Sequence, residues 1–296
     1  MTTTRNNLFE PKLVNNLISK VKGYSTLTKL SKQVPIAFNG NKEFVFSMDK
    51  EIDIVAEGGK KSEGGLSLAT RVIVPIKVEY GARITDEFLY ATEEEKLNIL
   101  GAFTDGYAKK LAKGIDLMGI HGINPRTGEV SNIINNNDIA HKVTQKTTFN
   151  EKDPDTNMEE AIQLVIAAEG DVTGLAMDPS FSSCLAKQKN NNDAGDRLFP
   201  ELRWGAKPSS INGIPVDIHS TVGNGSKIKA IVGDFENGFK WGYAKQIPFE
   251  IIKYGDPDNS GQDLKGHNQI YLRSETYLGW SILEPNHFAI IEKSEG

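Results

Sequence analysis

An α+β fold is predicted by three features of the chain. Two long alternating strand patterns flank a glycine-rich stretch near the N-terminus. An unusually long capped helical pattern follows, and short strands and helices then intermix before a last long strand. The 296 residues suffice for one large or two ordinary domains with cores of their own. Hydrophobic residues at 38% and charged ones at 25% describe a soluble globular protein.

Residues 1–36 combine a short amphipathic stretch, EPKLVNNLISKV, with polar sequence ending at Pro35. They are too polar to build a core and read as an arm that must lie on something. In EFVFSMDKEIDIVA, Phe44, Phe46 and Met48 share one face, followed by Ile52 and Ile54. In ATRVIVPIKVEYGARI, Val72, Val74, Ile76, Val78 and Tyr80 share one face, and Arg71, Lys77 and Glu79 the other. Pro75 cannot donate to a ladder and marks an edge or a bulge.

Between these patterns lies VAEGGKKSEGGLSL, residues 55–68. It fails as a phosphate cradle, because the position five before Gly59 is Ile54 and Lys61 separates Lys60 from Ser62. It reads as a hairpin tip in which glycine supplies φ > 0. Each arm, about a dozen residues, would reach roughly 40 Å. A two-stranded ribbon is marginal in water, so it either folds back on its own domain or is offered to a neighbouring copy. One apolar and one charged face favour the neighbour. The expected contact residues are those of the tip, Glu57, Gly58, Gly59, Lys60, Lys61, Gly64 and Gly65.

The helical pattern ATEEEKLNILGAFTDGYAKKLAKGIDLMG opens with Thr92 and Glu95 as a capping box. Leu97, Leu100, Phe103, Tyr107, Leu111, Ile115 and Met118 recur at spacings of three and four, giving a beam of about 40 Å. HGINPRTGEVSNI is a turn region. Thr156 and Glu159 suggest a second capping box before MEEAIQLVIAAE. The strand GLAMD ends at Asp178, an N-cap followed by Pro179. Short strands are expected at GIPVDIHS, KIKAIVGDF, FKWGYA and FEIIKY, and loops at the asparagine triplets 135–137 and 190–192. In NQIYLRSETYLGWSIL, Ile270, Leu272, Leu278, Trp280 and Ile282 share an alternating face with Ser274 and Thr276, while Tyr271, Arg273, Glu275 and Tyr277 take the other. This long strand should lie half buried, plausibly on the long helix. EPNHFAII turns at Pro285 and adds a closing strand.

No catalytic, cofactor-binding or metal-ligating residue is assigned. The histidines at 121, 141, 219, 267 and 287 miss every ligand-pair spacing, and neither G-x-S-x-G nor a strand–helix G-x-G-x-x-G occurs. Two stretches approach a calcium loop. DPDNSGQDLKGH places Asp256, Asp258, Ser260 and Gly261 well but puts His267 where a bidentate Glu belongs. NNNDAGDRLFPE has Gly195 and Glu201 in place, with Asn190 first and Ala194 unable to ligate. Both read better as solvated turns, with a weak cation site at 256–261 as the lesser alternative. The single cysteine, Cys184, rules out internal disulfides and reads as a small buried side chain near Phe181 and Leu185. Lys60 and Lys61 would form an isopeptide bond with a neighbour's asparagine only if a carboxylate in an apolar pocket deprotonated them. Two solvated charges that keep a ribbon from mispairing explain them better. No stretch is apolar enough for a membrane span and no signal peptide is evident, which points to a cytosol. A net charge of −5 argues against a basic face that coats nucleic acid, though not against enclosing it.

The order of these parts resembles the major capsid proteins of tailed bacteriophages, with the Hong Kong 97-type fold. The resemblance is carried by LFEPKLVNNLISKVKGYSTLTKL, by VAEGGKKSEGGLSLATRVIVPIKVEYGARITDEFL, and by GIPVDIHS, AIVGDFENGFKWGYA and YLRSETYLGWSILEPNHFAII. It implies an N-terminal arm at 1–36 and an extended loop at 37–84 lying over an adjacent subunit. It further implies a peripheral domain with the spine helix at 85–122 and 256–296, and an axial α/β domain at 123–255. Copies would meet in pentamers and hexamers around double-stranded DNA held without sequence-specific binding. Assembly would take place in the host bacterial cytoplasm, without a membrane, and scaffolding, protease and portal proteins are possible partners. Some members carry an N-terminal scaffolding segment; here scaffolding would come from a separate protein or from a segment already removed. Some crosslink an extended-loop lysine, which Lys60 and Lys61 match by location alone.

Three functions are weighed. A virion shell explains the ribbon, the arm and the mildly acidic charge, since a strongly basic inner wall would hinder DNA packing and ejection. An encapsulin-like compartment shell of the same fold is the alternative, told apart by its cargo. A two-domain enzyme or binding protein with an unrecognised loop site is the third.

Overall fold

The computed structural model describes residues 20–21, 23–48, 50–190 and 195–294. Residues 1–19 of the expected arm, and 191–194 of the second asparagine-rich loop, lie outside the described residues. In the remainder of the arm, Ser25 caps a short helix, α1 (Thr26–Leu30), its Oγ accepting from the Thr28 amide.

Strands β1 (Asn41–Met48) and β2 (Leu66–Ile73) pair antiparallel, from Asn41 with Ile73 to Met48 with Leu66. Each arm is about 26 Å long at 3.3 Å per residue, shorter than the alternation predicts. Continuing the register would set Lys50 against Gly64 and Glu51 against Glu63, the first pair without cross-strand packing and the second of like charge. The ladder therefore stops, and residues 50–65 form an open loop. The second pattern is also two strands rather than one. It breaks at Val74 and Pro75, and β3 (Ile76–Thr85) leaves the ribbon for another sheet.

Helix α2 (Glu93–His121) has the expected capping box between Thr92 and Glu95 and ends on Gly122, whose φ of 67° suits a left-handed C-cap. Its first turns leave Leu97 exposed, whereas Gly114 to His121 are buried on every side. Next come α3 (Ile139–Lys142), β4 (Lys146–Thr148) and α4 (Pro154–Ala167). The cap of α4 is Asp153 with Pro154 at N1, not the expected Thr156–Glu159 box. The Asp153 carboxylate already accepts from the Thr156 amide, one turn earlier.

The strand β5 (Gly174–Met177) leads through the N-cap Asp178 into α5 (Pro179–Leu185), as expected. Cys184 on α5 is only partly buried, one position off the buried face of Phe181, Ser182 and Leu185. Then follow β6 (Ser210–Ile211), β7 (Ile214–Ile218), α6 (Ser220–Gly223) and β8 (Ile228–Gly233). The two strands expected from FKWGYA and FEIIKY are one, β9 (Phe239–Ile252). Its register slips against β10 (Gln269–Ile282) absorb the break in alternation. β11 (Phe288–Glu292) closes the chain after the turn at Pro285.

Two sheets flank α2. One is antiparallel in the order β3-β10-β9; the other has six strands in the order β4-β11-β8-β5-β7-β6. Because β10 is central, Tyr271 and Glu275 on its second face are buried too, more than a half-buried strand would be. The main core joins Tyr107, Leu111, Ile115 and Met118 of α2 to Leu278 and Trp280 of one sheet and Ile231 and Ile290 of the other. A second core lies under α4 and α5 on the six-stranded sheet. The sheets do not divide at the expected 255/256 boundary, since β9 joins the β3-β10 sheet and β11 the six-stranded one.

Candidate inter-subunit surface

The ribbon is anchored at its root and bare beyond it. Ile73 is fully buried and packs on Gly279 of β10, where a Cβ would stand 2.9 Å from its Cγ2. Gly40 turns the chain into β1 with φ +86°, and a Cβ there would stand 2.8 Å from the Ile73 carbonyl oxygen. The Asn41 side chain spans the turn, accepting from the Ala37 amide at 2.9 Å and donating to the Pro35 carbonyl at 2.7 Å. Phe38 packs on Tyr277 with ring centroids 5.2 Å apart.

Beyond this root the two faces differ. Cross-strand neighbours share a face, so Lys42 and Val72, Phe44 and Thr70, and Leu68 and Leu66 line one side. Glu43 and Arg71, with Val45 and Ala69, line the other. Phe44, Leu66, Leu68 and Val72 are all exposed, Leu66 at 63%. In the loop, Ile52 and Ile54 are each 97% exposed. Such side chains contribute about 1.5–3 kcal/mol each when fully covered. A contiguous apolar face of this kind marks an interaction surface.

The expected tip residues fall on this loop. Gly58 adopts φ 75° and the Gly59 amide donates to the Ala56 carbonyl at 2.8 Å, forming a turn. Glu57, Gly58, Gly59, Lys60, Lys61, Gly64 and Gly65 are all exposed, while Lys50 Nζ donates to the Glu63 carbonyl at 2.9 Å. The loop therefore presents the tip residues together, with the apolar ladder face behind them.

Sequence reasoning missed the device that ties the arm to the body. Asp116 of α2 is fully buried and accepts four hydrogen bonds. They come from Ser25 Oγ at 2.6 Å, the Thr26 and Leu27 amides at 3.1 Å each, and Thr221 Oγ1 at 2.7 Å. Burial pushes its carboxyl above the usual range, and these donors pull it back. Thr26 Oγ1 also donates to Asp217 Oδ2 at 2.7 Å, and Lys29 pairs with the same carboxylate. A lone aspartate on the apolar stripe of AKKLAKGIDLMG was the available signal.

The better of the two calcium-like loops is filled by a protein cation. Arg83 Nη2 lies 2.6 Å from Asp256 and 2.5 Å from Asp258, while the Ser260 and Gly261 amides donate back to Asp256. The guanidinium holds the Asp258 carboxyl well below the ordinary carboxylate range. In the other loop, residues 191–194 lie outside the described residues. Among the described residues no group of three or more His, Cys, Asp or Glu is placed to hold a metal, and no helix is long and apolar enough to cross a membrane.

Comparison with known proteins places these features in context. Residues 6–293 match the model of the phage capsid family. A solved chain of Mycobacterium phage Ogopogo is 30% identical, with 92% of each chain covered and a TM-score of 0.76. One of Gordonia phage Cozz is 26% identical over 91% of this chain and 86% of that one, with a TM-score of 0.72. The capsid of the native GTA particle shares the fold at 13% identity, covering 91% of this chain and 90% of its own, with a TM-score of 0.62. No curated protein matches the sequence.

Proposed function

Because this chain belongs to the phage capsid family, we propose that its bare ribbon is the contact by which one copy lies over the next. The chain is a shell protein with the Hong Kong 97-type fold. The compartment alternative is not favoured beside relatives from phages, nor is a two-domain enzyme. The observation that carries the reading is the exposed ladder face of Phe44, Leu66, Leu68 and Val72, continued by Ile52 and Ile54 in the loop. Among the described residues nothing covers it, and a second surface laid on it would recover its burial energy.

On this reading, residues 41–73 are the extended loop, with Glu57 to Lys61, Gly64 and Gly65 at its contacting end. The sheet of β3, β10 and β9 with α2 forms the peripheral domain, and the six-stranded sheet with α4 and α5 the axial domain. Rings of five and six copies close the shell in the host cytoplasm around double-stranded DNA, whose phosphates a chain of net charge −5 would not grip. The protein has no catalytic task of its own, and scaffolding, protease and portal proteins would be its transient or vertex partners.

Deleting residues 57–65 tests this reading. The variant is expected to fold, by circular dichroism, yet to fail to form particles under conditions where the wild type, alone or with its scaffold, gives shells by sedimentation and negative-stain microscopy. Normal assembly of the deletion variant would overturn the role given to the ribbon.

A further inference from the structure

The two edges of the six-stranded sheet carry opposite charge. At one edge is β4, paired only with β11. Beside it α4 presents the exposed carboxylates Asp155, Glu159 and Glu160 along a groove of about 880 Å³, with Leu164 and Ala167 in its wall. Among the described residues Lys146 is the one cation lining the groove, and it is already paired with Glu292 at 3.1 Å. The groove therefore offers uncompensated negative charge around a partly apolar wall.

At the other edge is β6, paired only with β7. Here the segment 203–207 projects Trp204, 97% exposed, between Arg203 and Lys207, with Lys187 behind it. Glu201 stands on the preceding turn, and the Arg203 guanidinium rests 5.2 Å from the Trp204 ring centroid. Among the described residues none of Lys187, Arg203 and Lys207 has an ion-pair partner within the chain. Trp204 also sits at φ 55°, a left-handed backbone conformation that is costly for a bulky side chain. Among the described residues the Arg203 guanidinium is the ring's partner, and the exposed ring gains no burial to offset that cost.

We propose that Trp204, with Arg203 and Lys207, seats in the groove between α4 and β4 of the next copy. This inference rests on the shell reading and names a second contact, separate from the ribbon. An aromatic ring flanked by cations matches an apolar wall flanked by carboxylates. The two edges are five strand spacings apart, about 24 Å, so a chain cannot satisfy itself. Knob and groove on opposite edges of one sheet make a head-to-tail interface, the kind that closes a ring when repeated. Asp155 is in keeping with this. Burial and the neighbouring Asp153 and Glu159 push its carboxyl up, so an incoming cation would relieve the crowding.

Cysteine pairing tests the contact directly. In a Cys184→Ser background, Trp204→Cys combined with Gln163→Cys should give, after mild oxidation of assembled particles, a ladder of covalently linked copies on a non-reducing gel. Neither single-cysteine variant should do so. Particles that sediment as shells yet run only as monomers would overturn the inference while leaving the shell reading intact. Failure of the wild-type chain to assemble would instead sink the shell reading itself. Charge reversal gives a second measurement. Arg203→Glu with Lys207→Glu, and separately Glu159→Arg with Glu160→Arg, should each raise the concentration needed for assembly about tenfold or more. All four changes in one chain should largely restore it. Reversals without effect, or without mutual rescue, would overturn the inference.

Discussion

At the residue scale, two carboxylates behave in opposite ways for reasons visible in their surroundings. Asp116 is desolvated, so its folded pKa lies above its unfolded value. Its contribution to stability is fully present below the unfolded pKa of about 3.9 and falls as pH rises through the folded value. Asp258 is held down by Arg83, so its contribution is present above about 3.9 and lost as pH falls through the depressed folded value. Arg83→Gln is therefore expected to weaken the acid-side loss of stability in a urea-midpoint profile against pH; an unchanged profile would deny the pair any role. Asp116→Ala leaves four donors without their acceptor and is expected to cost about 3 kcal/mol or more in urea unfolding. Neither site was legible in the sequence. The Asp256 loop showed its oxygens, but Arg83 lies far from it along the chain, and only the pairing of β3 with β10 brings it near.

At the element scale, most of what is decided by neighbouring residues was legible, the exception being the cap of α4, which falls on Asp153 and not on Thr156. The Thr92–Glu95 box, the Asp178–Pro179 start and the alternation of β10 are all decided by residues within a few positions of one another. The departures in the strands have a common cause, because strand ends depend on what lies across the ladder. The ribbon shortens where Gly64 would face Lys50 and Glu63 would face Glu51, and the long second pattern divides because Pro75 releases it to a different partner. The tip residues were legible as a loop, but the ladder face behind them became clear only once pairing and exposure were known. Two predictions belong here. Gly279→Ala sets a methyl group 2.9 Å from Ile73 Cγ2 and 3.1 Å from the Val74 carbonyl. It should destabilise the ribbon root by about 1–3 kcal/mol, seen as faster proteolysis within residues 41–73. Phe44→Ser with Leu68→Ser should change subunit stability by only about 0.5 kcal/mol, because both side chains are already exposed, while blocking particle formation. A large loss of monomer stability would mean that the ribbon packs on its own chain.

At the scale of the whole molecule, the chain crosses between its two sheets more often than a linear division into domains implies. It places β3 in one sheet, β4 to β8 in the other, returns for β9 and β10, and ends with β11 back in the second. The C-terminal half of α2 runs between them, and one core contains Trp241 and Trp280 from the first sheet and Ala176, Phe288 and Ile290 from the second. Neither sheet can lose its packing on α2 without exposing the other's side chains. The subunit is therefore expected to unfold in urea as one cooperative transition, despite its length. Tryptophan fluorescence should report mainly the buried Trp241 and Trp280 in the three-stranded sheet, since Trp204 is exposed. Far-UV circular dichroism reports every helix and strand. Coincident curves from the two probes would support a single unit built on α2. A fluorescence transition well separated from the dichroism curve would mean that the peripheral and axial parts are independent, and that the shared core couples them little.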